Sequence, residues 1–269
     1  MPSYVVTGVS RGLGLEFLRQ IASNPANTVV GLVRNVAETE TKISSWKQTN
    51  LHIISGDLND YNSMKEAAEA TSKIISGKLD CLIANAAYLP TWSALDPFSK
   101  LGADPSHLTD DLVRTFTTNV VGNIHLFNLF MPLILKGDAK KVISISSGMA
   151  DNDLVTKFGI YEAGPYTLSK SAMNMVMSKF QSEYEKDGVL FLSVSPGLVD
   201  TENGGEMDEV QTKKAMGLVA KLMEYAPDFK GPTKPEDAAR DVLKVVENAR
   251  LADGLAGAFL SHLGNKQWV

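Results

Sequence analysis

The sequence predicts an α/β protein: a doubly wound parallel sheet of about seven strands with helices on both faces, in three α/β/α layers. Three observations carry the prediction. Short runs rich in β-branched residues alternate with stretches of helical period from end to end. The first run, Ser3–Thr7, stops at a glycine-rich turn that leads straight into a helical pattern. No linker, repeat or low-complexity segment interrupts the 269 residues, so they read as one domain.

The elements follow in order. Ser3–Thr7 is a short buried strand. Thr7-Gly8-Val9-Ser10-Arg11-Gly12-Leu13-Gly14 comes next, and Leu15–Ile21 has helical periodicity. Strand, glycine turn and helix together form the setting of a phosphate-binding loop: Gly8 permits the turn, Gly12 lets the backbone approach a pyrophosphate, and Gly14 lets helix and strand pack closely. Thr28–Val33 is the second strand, followed at once by Arg34 and Asn35. An acidic residue here would hold the ribose 2′-hydroxyl of NAD, whereas an arginine accommodates a 2′-phosphate. The first acid after the strand is Glu38, and Arg11 adds a second cation, so NADP(H) is the expected dinucleotide.

Leu51–Ser55 is the third strand, ending in Gly56-Asp57-Leu58. Asp57 fits either an adenine contact or the N-cap of the following helix. Leu79–Ala84 is the fourth strand, followed by Asn85-Ala86-Ala87. The connection 88–107, with Pro90, Pro97 and Pro105, is long enough to be a pocket wall. Thr109 is expected to cap a helix whose first turn holds Asp110 and Asp111 and which runs past Asn119 to about Leu135. An Asn among Phe116, Val120, Val121 and Ile124 implies a hydrogen-bonding task. Lys141–Ile145 is the fifth strand, Asp151–Glu162 a further loop, and Tyr166 to about Lys186 a helix with an apolar seam of Met173, Val176, Met177 and Phe180. Val189–Val194 is the sixth strand, residues 202–233 mix helix and loop, Pro235 opens a helix to about Asn248, and Gly257–Ser261 is the last strand.

Composition narrows the class. Apolar residues are 44%, charged residues 21% and the net charge is −5, which leaves no basic face for nucleic acid. The single Cys81 excludes an internal disulfide and is expected to pack as a small hydrophobe. His52, His107, His125 and His262 lack metal-ligand spacing, so no metal is expected. The apolar stretch Ile124–Leu135 is interrupted by His125, Asn128 and Pro132 and is too short to span a bilayer. With no leader pattern before Tyr4, the chain reads as a cytoplasmic protein without membrane attachment.

Tyr166-Thr167-Leu168-Ser169-Lys170 is the stretch with chemistry in it. Residues four apart lie on one helix face, which places a phenol beside an ammonium. A neighbouring cation favours the phenolate, so the Tyr166 pKa is expected to fall from its ordinary value near about 10. The same spacing in Tyr61–Lys65 is a decoy without polar company.

Taken in order, Thr7-Gly8-x-x-x-Gly12-x-Gly14, Asp57-Leu58, Asn85-Ala86, Asn119, Ser147, Tyr166-x-x-x-Lys170 and Pro196-Gly197-x-x-x-Thr201 resemble the markers of the short-chain dehydrogenase/reductase superfamily. The likeness is to its carbonyl-reductase-like, single-domain Rossmann-fold branch, and it runs from Tyr4 to at least Thr201. The resemblance implies a catalytic set. Tyr166 is the general acid for reduction, Lys170 lowers its pKa and holds the nicotinamide ribose, Ser147 bonds the substrate carbonyl, and Asn119 holds a water linking Lys170 to solvent. It also implies dinucleotide contacts at Gly8, Ser10, Arg11, Gly12, Leu13, Gly14, Arg34, Asn35, Asp57, Leu58, Asn85, Ala86, Tyr166, Lys170, Pro196, Gly197, Val199 and Thr201. Residues 1–150 would form mainly the cofactor-binding half, and loops 88–108, 151–162 and 202–233 the substrate pocket.

Two features depart from the pattern. Ala87 stands where the family has glycine, and the Ser147–Tyr166 interval is long, with the extra residues in Asp151–Glu162. Ser146 is an alternative to Ser147. The expected activity is NADPH-dependent reduction of an aldehyde, ketone or diketone of apolar or aromatic character. The alternatives are an NADP-dependent alcohol or hydroxysteroid dehydrogenase working oxidatively, and a non-catalytic NADP(H)-sensing regulator. By analogy with the family, helices around 110–135 and 166–186 would form a homodimer or homotetramer.

Overall fold

The computed structural model describes residues 1–200 and 207–269. Seven parallel strands form one sheet in the order β3-β2-β1-β4-β5-β6-β7. They are β1 Ser3–Thr7, β2 Thr28–Val33, β3 Leu51–Ser55, β4 Cys81–Ala84, β5 Lys141–Ile145, β6 Leu190–Ser195 and β7 Phe259–Ser261. The order reverses between β1 and β4, where loops from the two halves part and leave a crevice at the strands' carboxyl ends. β1, β4, β5 and β6 are almost wholly buried, which is why they read as unbroken apolar runs rather than alternating ones.

Ten α-helices are described: α1 Gly12–Ala22, α2 Val36–Ile43, α3 Tyr61–Ile74, α4 Phe98–Leu101, α5 Pro105–Phe116, α6 Gly122–Ile134, α7 Asn152–Lys157, α8 Gly164–Tyr184, α9 Glu209–Tyr225 and α10 Pro235–Asn248. One face of the sheet is covered by α3, α6 and α8 through Met64, Phe127, Phe130, Met173 and Phe180. Phe127 stands edge-on to both Phe180 and Phe191. The opposite face is covered by α1 and α10 through Phe17, Leu18, Val242 and Val246. Burying each such large side chain contributes roughly 1.5–3 kcal/mol, so the paired layers hold the strand ends, and the loops they carry, in place.

The helix expected from Thr109 to Leu135 is three elements. It starts five residues earlier, with its cap at Asp104 instead of Thr109, because Asp104 accepts from His107 N at 3.0 Å and Pro105 occupies the first turn. Asp followed by Pro is a stronger start signal than Thr109, whose hydroxyl instead donates to the Pro105 carbonyl. The helix then widens into a π segment, Thr117–Val121, before α6. Smaller boundaries also move: β6 is Leu190–Ser195 instead of Val189–Val194, β7 starts at Phe259 instead of Gly257, and α8 starts at Gly164 instead of Tyr166. β4 begins at Cys81 rather than Leu79, where the buried Asp80 carboxylate accepts from the backbone N–H groups of Ser3, Asp138 and Ala139. Asp151–Glu162 contains α7, capped by Asp151, rather than being loop throughout. Much of 202–233 is α9, opened by an Asp208–Gln211 capping box. Among the described residues no helix is long and apolar enough to cross a membrane.

Candidate active site

The glycine turn after β1 is built as a cradle. Gly8 has φ 72° and Gly12 φ 54°, backbone that L side chains rarely adopt. A Cβ on Gly8 would stand 2.8 Å from Ala86 Cα, and one on Gly14 would overlap the Gly8 carbonyl oxygen and sit 2.5 Å from Asn85 Nδ2. Helix α1 starts at Gly12 with Arg11 as an N-cap that makes no side-chain cap bond. Its first N–H groups therefore lack a capping acceptor and face the crevice, which suits a phosphate. Ser10 accepts Lys42 Nζ on its carbonyl at 3.1 Å, and Leu13 is buried under the turn. These residues fit a dinucleotide pyrophosphate.

Gly8–Gly12 also spells Gly-x-Ser-x-Gly, the pattern of a hydrolase nucleophile elbow. That chemistry needs a histidine base at the serine. The four histidines pack elsewhere: His52 in β3, His107 stacked on Trp92, His125 edge-on to Tyr61, and His262 under Gly197.

After β2, Arg34 is exposed, and Arg11 is exposed in the glycine turn, where its charge acts on Glu38. The nearest acid, Glu38, pairs with Lys42 at 2.8 Å, and that ammonium holds its carboxyl below the ordinary range. Asn35 caps α2 by accepting from Glu38 N at 3.2 Å. Asp57 does not cap α3: Asp60 does, while Asp57 Oδ1 accepts from Asn59 N at 2.9 Å. Leu58 supports Gly122, where a Cβ would meet the Leu58 carbonyl oxygen at 2.5 Å. Asn85 and Ala86 stitch the crevice floor, since both backbone N–H groups donate to Thr7 Oγ1 and Asn85 Nδ2 donates to the Thr7 and Gly8 carbonyls. Ala87 is absent from the residues with positive φ, so it replaces the usual glycine without backbone strain.

Ser147 follows β5, Lys170 reaches the carboxyl end of that strand from α8 beside Tyr166, and Asn119 joins α8 through Ser169. Lys170, buried on α8, donates from Nζ to the Ile145 carbonyl at 2.7 Å, two residues before Ser147. Ser147 is half-buried, and its Oγ accepts from Met149 N at 3.3 Å. Ser146, the alternative, is buried and donates to Asn174 Oδ1 at 2.8 Å. Just before α8, Ala163 is left-handed at φ 53°, held by its N–H bond to the Ala94 carbonyl. A non-glycine residue kept there marks strain stored next to the site.

Asn119 lies in the π segment, fully committed to protein partners. Its Oδ1 accepts from Tyr88 N at 2.7 Å, and its Nδ2 donates to the Tyr88 carbonyl at 2.9 Å and to Ser169 Oγ at 3.0 Å. Ser169 Oγ in turn donates to the Tyr166 carbonyl at 2.6 Å. Asn119 thus reaches the Tyr166 backbone through Ser169.

The expected lowering of the phenol's pKa is reversed. Burial pushes Tyr166 up to about 12 and Lys170 down to about 8. Desolvation dominates because the ammonium lies over the face of the Tyr166 ring, 5.4 Å from its centroid, and spends its bond on Ile145. A consequence can be measured. Native Lys170 holds its proton less tightly than the unfolded lysine, so burying it costs stability below about pH 8 and the cost fades toward pH 10.5. Lys170→Met is therefore expected to melt higher than the parent near pH 7, by about 2 kcal/mol once the unpaired Ile145 carbonyl is counted. That advantage should shrink as pH rises through 8 to 10.5, read as the difference between the two proteins in denaturant titrations.

The turn after β6 is the one the family resemblance gives to the nicotinamide. Pro196 and Gly197 form it, with Gly197 at φ 80° against His262, and Val199 bridges to Thr233. Thr201 lies outside the described residues. Two ion pairs escaped the sequence reading. Lys214 and Lys221 of α9 reach Asp96 at 2.7 Å and the buried Glu162 at 2.8 Å, tying α9 to both loops that flank Tyr166. The partners are far apart in the chain, and no spacing rule links them.

Residues 3–212 match the family model described as short chain dehydrogenase. The chain is 49% identical over 271 residues to the short chain dehydrogenase virK of Hypocrea virens, and 45% identical over 272 residues to the short-chain dehydrogenase/reductase iacC of Pestalotiopsis fici, with all of each chain covered in both cases. Among solved structures, NADPH-bound carbonyl reductase from chicken fatty liver matches with a TM-score of 0.78 at 23% identity, covering 98% of this chain and 93% of that one. Carbonyl reductase Sniffer of Drosophila melanogaster matches with a TM-score of 0.78 at 20% identity, covering 98% of each.

Proposed function

Because the chain belongs to the short-chain dehydrogenase/reductase family of oxidoreductases, we propose that it uses NADPH to reduce the carbonyl group of an aldehyde, ketone or diketone. The observation that carries the reading is the bond from Lys170 Nζ to the Ile145 carbonyl, which draws Tyr166 and Lys170 of α8 to the strand end that presents Ser147. The dinucleotide, when bound, supplies the hydride. The chain's own residues do the rest. Ser147 Oγ donates to the substrate oxygen as charge develops there. Tyr166 gives its proton to the same oxygen, and Lys170 stands behind it as a cation. Asn119, through Ser169, fixes the backbone at Tyr166. The first 150 residues would hold the cofactor, and the loops around 88–108 and 151–162, with α9, the substrate.

NADPH rather than NADH is supported by exposed Arg34 and Arg11, with Glu38 already neutralised by Lys42. A 2′-phosphate between two guanidiniums gains charge-assisted bonds that a 2′-hydroxyl cannot. The aromatic and apolar residues of the flanking loops, Tyr88, Trp92, Phe158 and Tyr161, support an apolar or aromatic substrate. Exposed Val113 and Phe116 on α5, and Leu168 and Met175 on α8, support self-association through those helices. A cytoplasmic setting, where NADPH is kept reduced, completes the reading.

The test is NADPH consumption at 340 nm with a carbonyl panel that includes aryl diketones. Turnover with NADPH should exceed that with NADH, and Arg34→Asp should lower kcat/KM for NADPH by on the order of 100-fold while sparing NADH. Absence of NADPH oxidation with every compound would overturn the proposal.

A further inference from the structure

We propose that Trp268 is a positioning residue for Ser147: its indole sets where the serine loop stands, and so how the substrate carbonyl is held. The proposal rests on the carbonyl-reductase reading above. Ser147 leaves β5 and turns at once into a short 3₁₀ segment, Gly148–Ala150. On one side the loop is tied by the Gly148 N–H, which donates to Ser195 Oγ at 2.9 Å. On the other it rests on Trp268, only 3% exposed, so closely that a Cβ on Gly148 would stand 2.5 Å from Trp268 Cβ and 3.0 Å from Cγ. Glycine is required there by the side chain of Trp268, its Cβ above all, not by its own backbone angles.

Trp268 is itself held from three directions. Its ring stacks on Phe259 of β7 at 4.3 Å. The backbone N–H of Trp268 donates to the Tyr225 hydroxyl at 3.1 Å, and that hydroxyl donates to the Lys266 carbonyl at 3.1 Å. Leu154 and Ile160, from the long insertion before Tyr166, and Leu222 of α9 bury the ring, with Met149 and Leu198 packed on the cluster. Met149 adjoins the serine loop and Leu198 the nicotinamide-side turn. One indole therefore couples α9 and the insertion to the serine, across elements with no sequence pattern in common. In a close-packed cluster of this kind a change of even a few atoms shifts its neighbours.

The test compares Gly148→Ala, Trp268→Gly, Trp268→Phe and the Gly148→Ala/Trp268→Gly double variant in the full chain. The readouts are kcat and KM for an aryl diketone, NADPH affinity, and hydrogen exchange of residues 147–150. Gly148→Ala should lower kcat/KM by on the order of 100-fold, the usual cost of displacing a reacting group by about an ångström, with NADPH affinity unchanged. The double variant should regain at least about 10-fold over Gly148→Ala, because the atoms its methyl meets are gone. Trp268→Gly should speed exchange across 147–150, and Trp268→Phe should restore slow exchange.

Wild-type kcat/KM in Gly148→Ala, or a double variant no better than Gly148→Ala, overturns the proposal. So does unchanged exchange in Trp268→Gly, or an equal loss of NADPH affinity in every variant. If the parent reduces no carbonyl compound, the functional reading fails, and the exchange measurements still decide whether Trp268 positions the serine loop.

Discussion

Tyr166→Phe is expected to lower turnover by about 10²–10⁴-fold, the range ascribed to a positioned general acid, while NADPH affinity stays within error. The change removes one oxygen and leaves the ring, so the packing of α8 and the face that Lys170 overlies are kept. Single-turnover NADPH oxidation and fluorescence titration of NADPH separate chemistry from binding. Since burial holds the phenol near 12, the hydroxyl stays protonated across the physiological range and is ready to donate rather than accept. Retention of more than about a tenth of parental turnover would remove Tyr166 from the acid's role.

Gly14→Ala is expected to have the largest effect on stability. The new methyl would overlap the carbonyl oxygen of Gly8 and press on Asn85 Nδ2, and the first of these is backbone that cannot rotate away. Overpacking of this kind costs about 3 kcal/mol or more, which lowers the melting temperature by about 10 °C. Because the same displacement opens the phosphate cradle, NADPH affinity should fall by on the order of 100-fold. Gly217→Ala is the control of opposite sign: a Cβ there, on α9, meets nothing within 4 Å. That variant should gain roughly 0.5–1 kcal/mol from helix propensity. Calorimetry on the two proteins checks both, and equal melting points for parent and Gly14→Ala would show that the turn is not close-packed.

Much of this was legible before any coordinates. β1, β2 and β5 fall on the residues their patterns named, because a strand buried on both faces must be apolar throughout and must end where glycine or a polar pair ends it; β3, a half-exposed edge strand, was legible from its β-branched run bounded by Gly56. The glycine turn was legible for the same reason: spacing alone determines which residues lack a side chain at a strand-to-helix turn. The start of α5 was misjudged, since Thr109 and Asp104 both satisfy a capping rule and the stronger signal, Asp104 followed by Pro105, was passed over. The π segment was hidden, because widening a helix by one residue leaves no compositional trace. The Tyr166 pKa went the opposite way to the expectation, because residue spacing reports which groups are near and not how deeply they are desolvated.

By itself, then, the sequence determined the parallel sheet and the glycine turn that follows its first strand, and it offered Tyr166 and Lys170 as a pair on one helix face. These depend on contacts between residues close in the chain or on periodicity, both of which local chemistry dictates. Tertiary structure decided the rest: that Asn119 reaches Tyr166 through Ser169, that Lys214 and Lys221 bind α9 to two distant loops, and that Trp268 comes to lie on Gly148. Each of these joins segments that meet only because the sheet and its two helical layers fold them together, and no pattern along the chain encodes such a meeting.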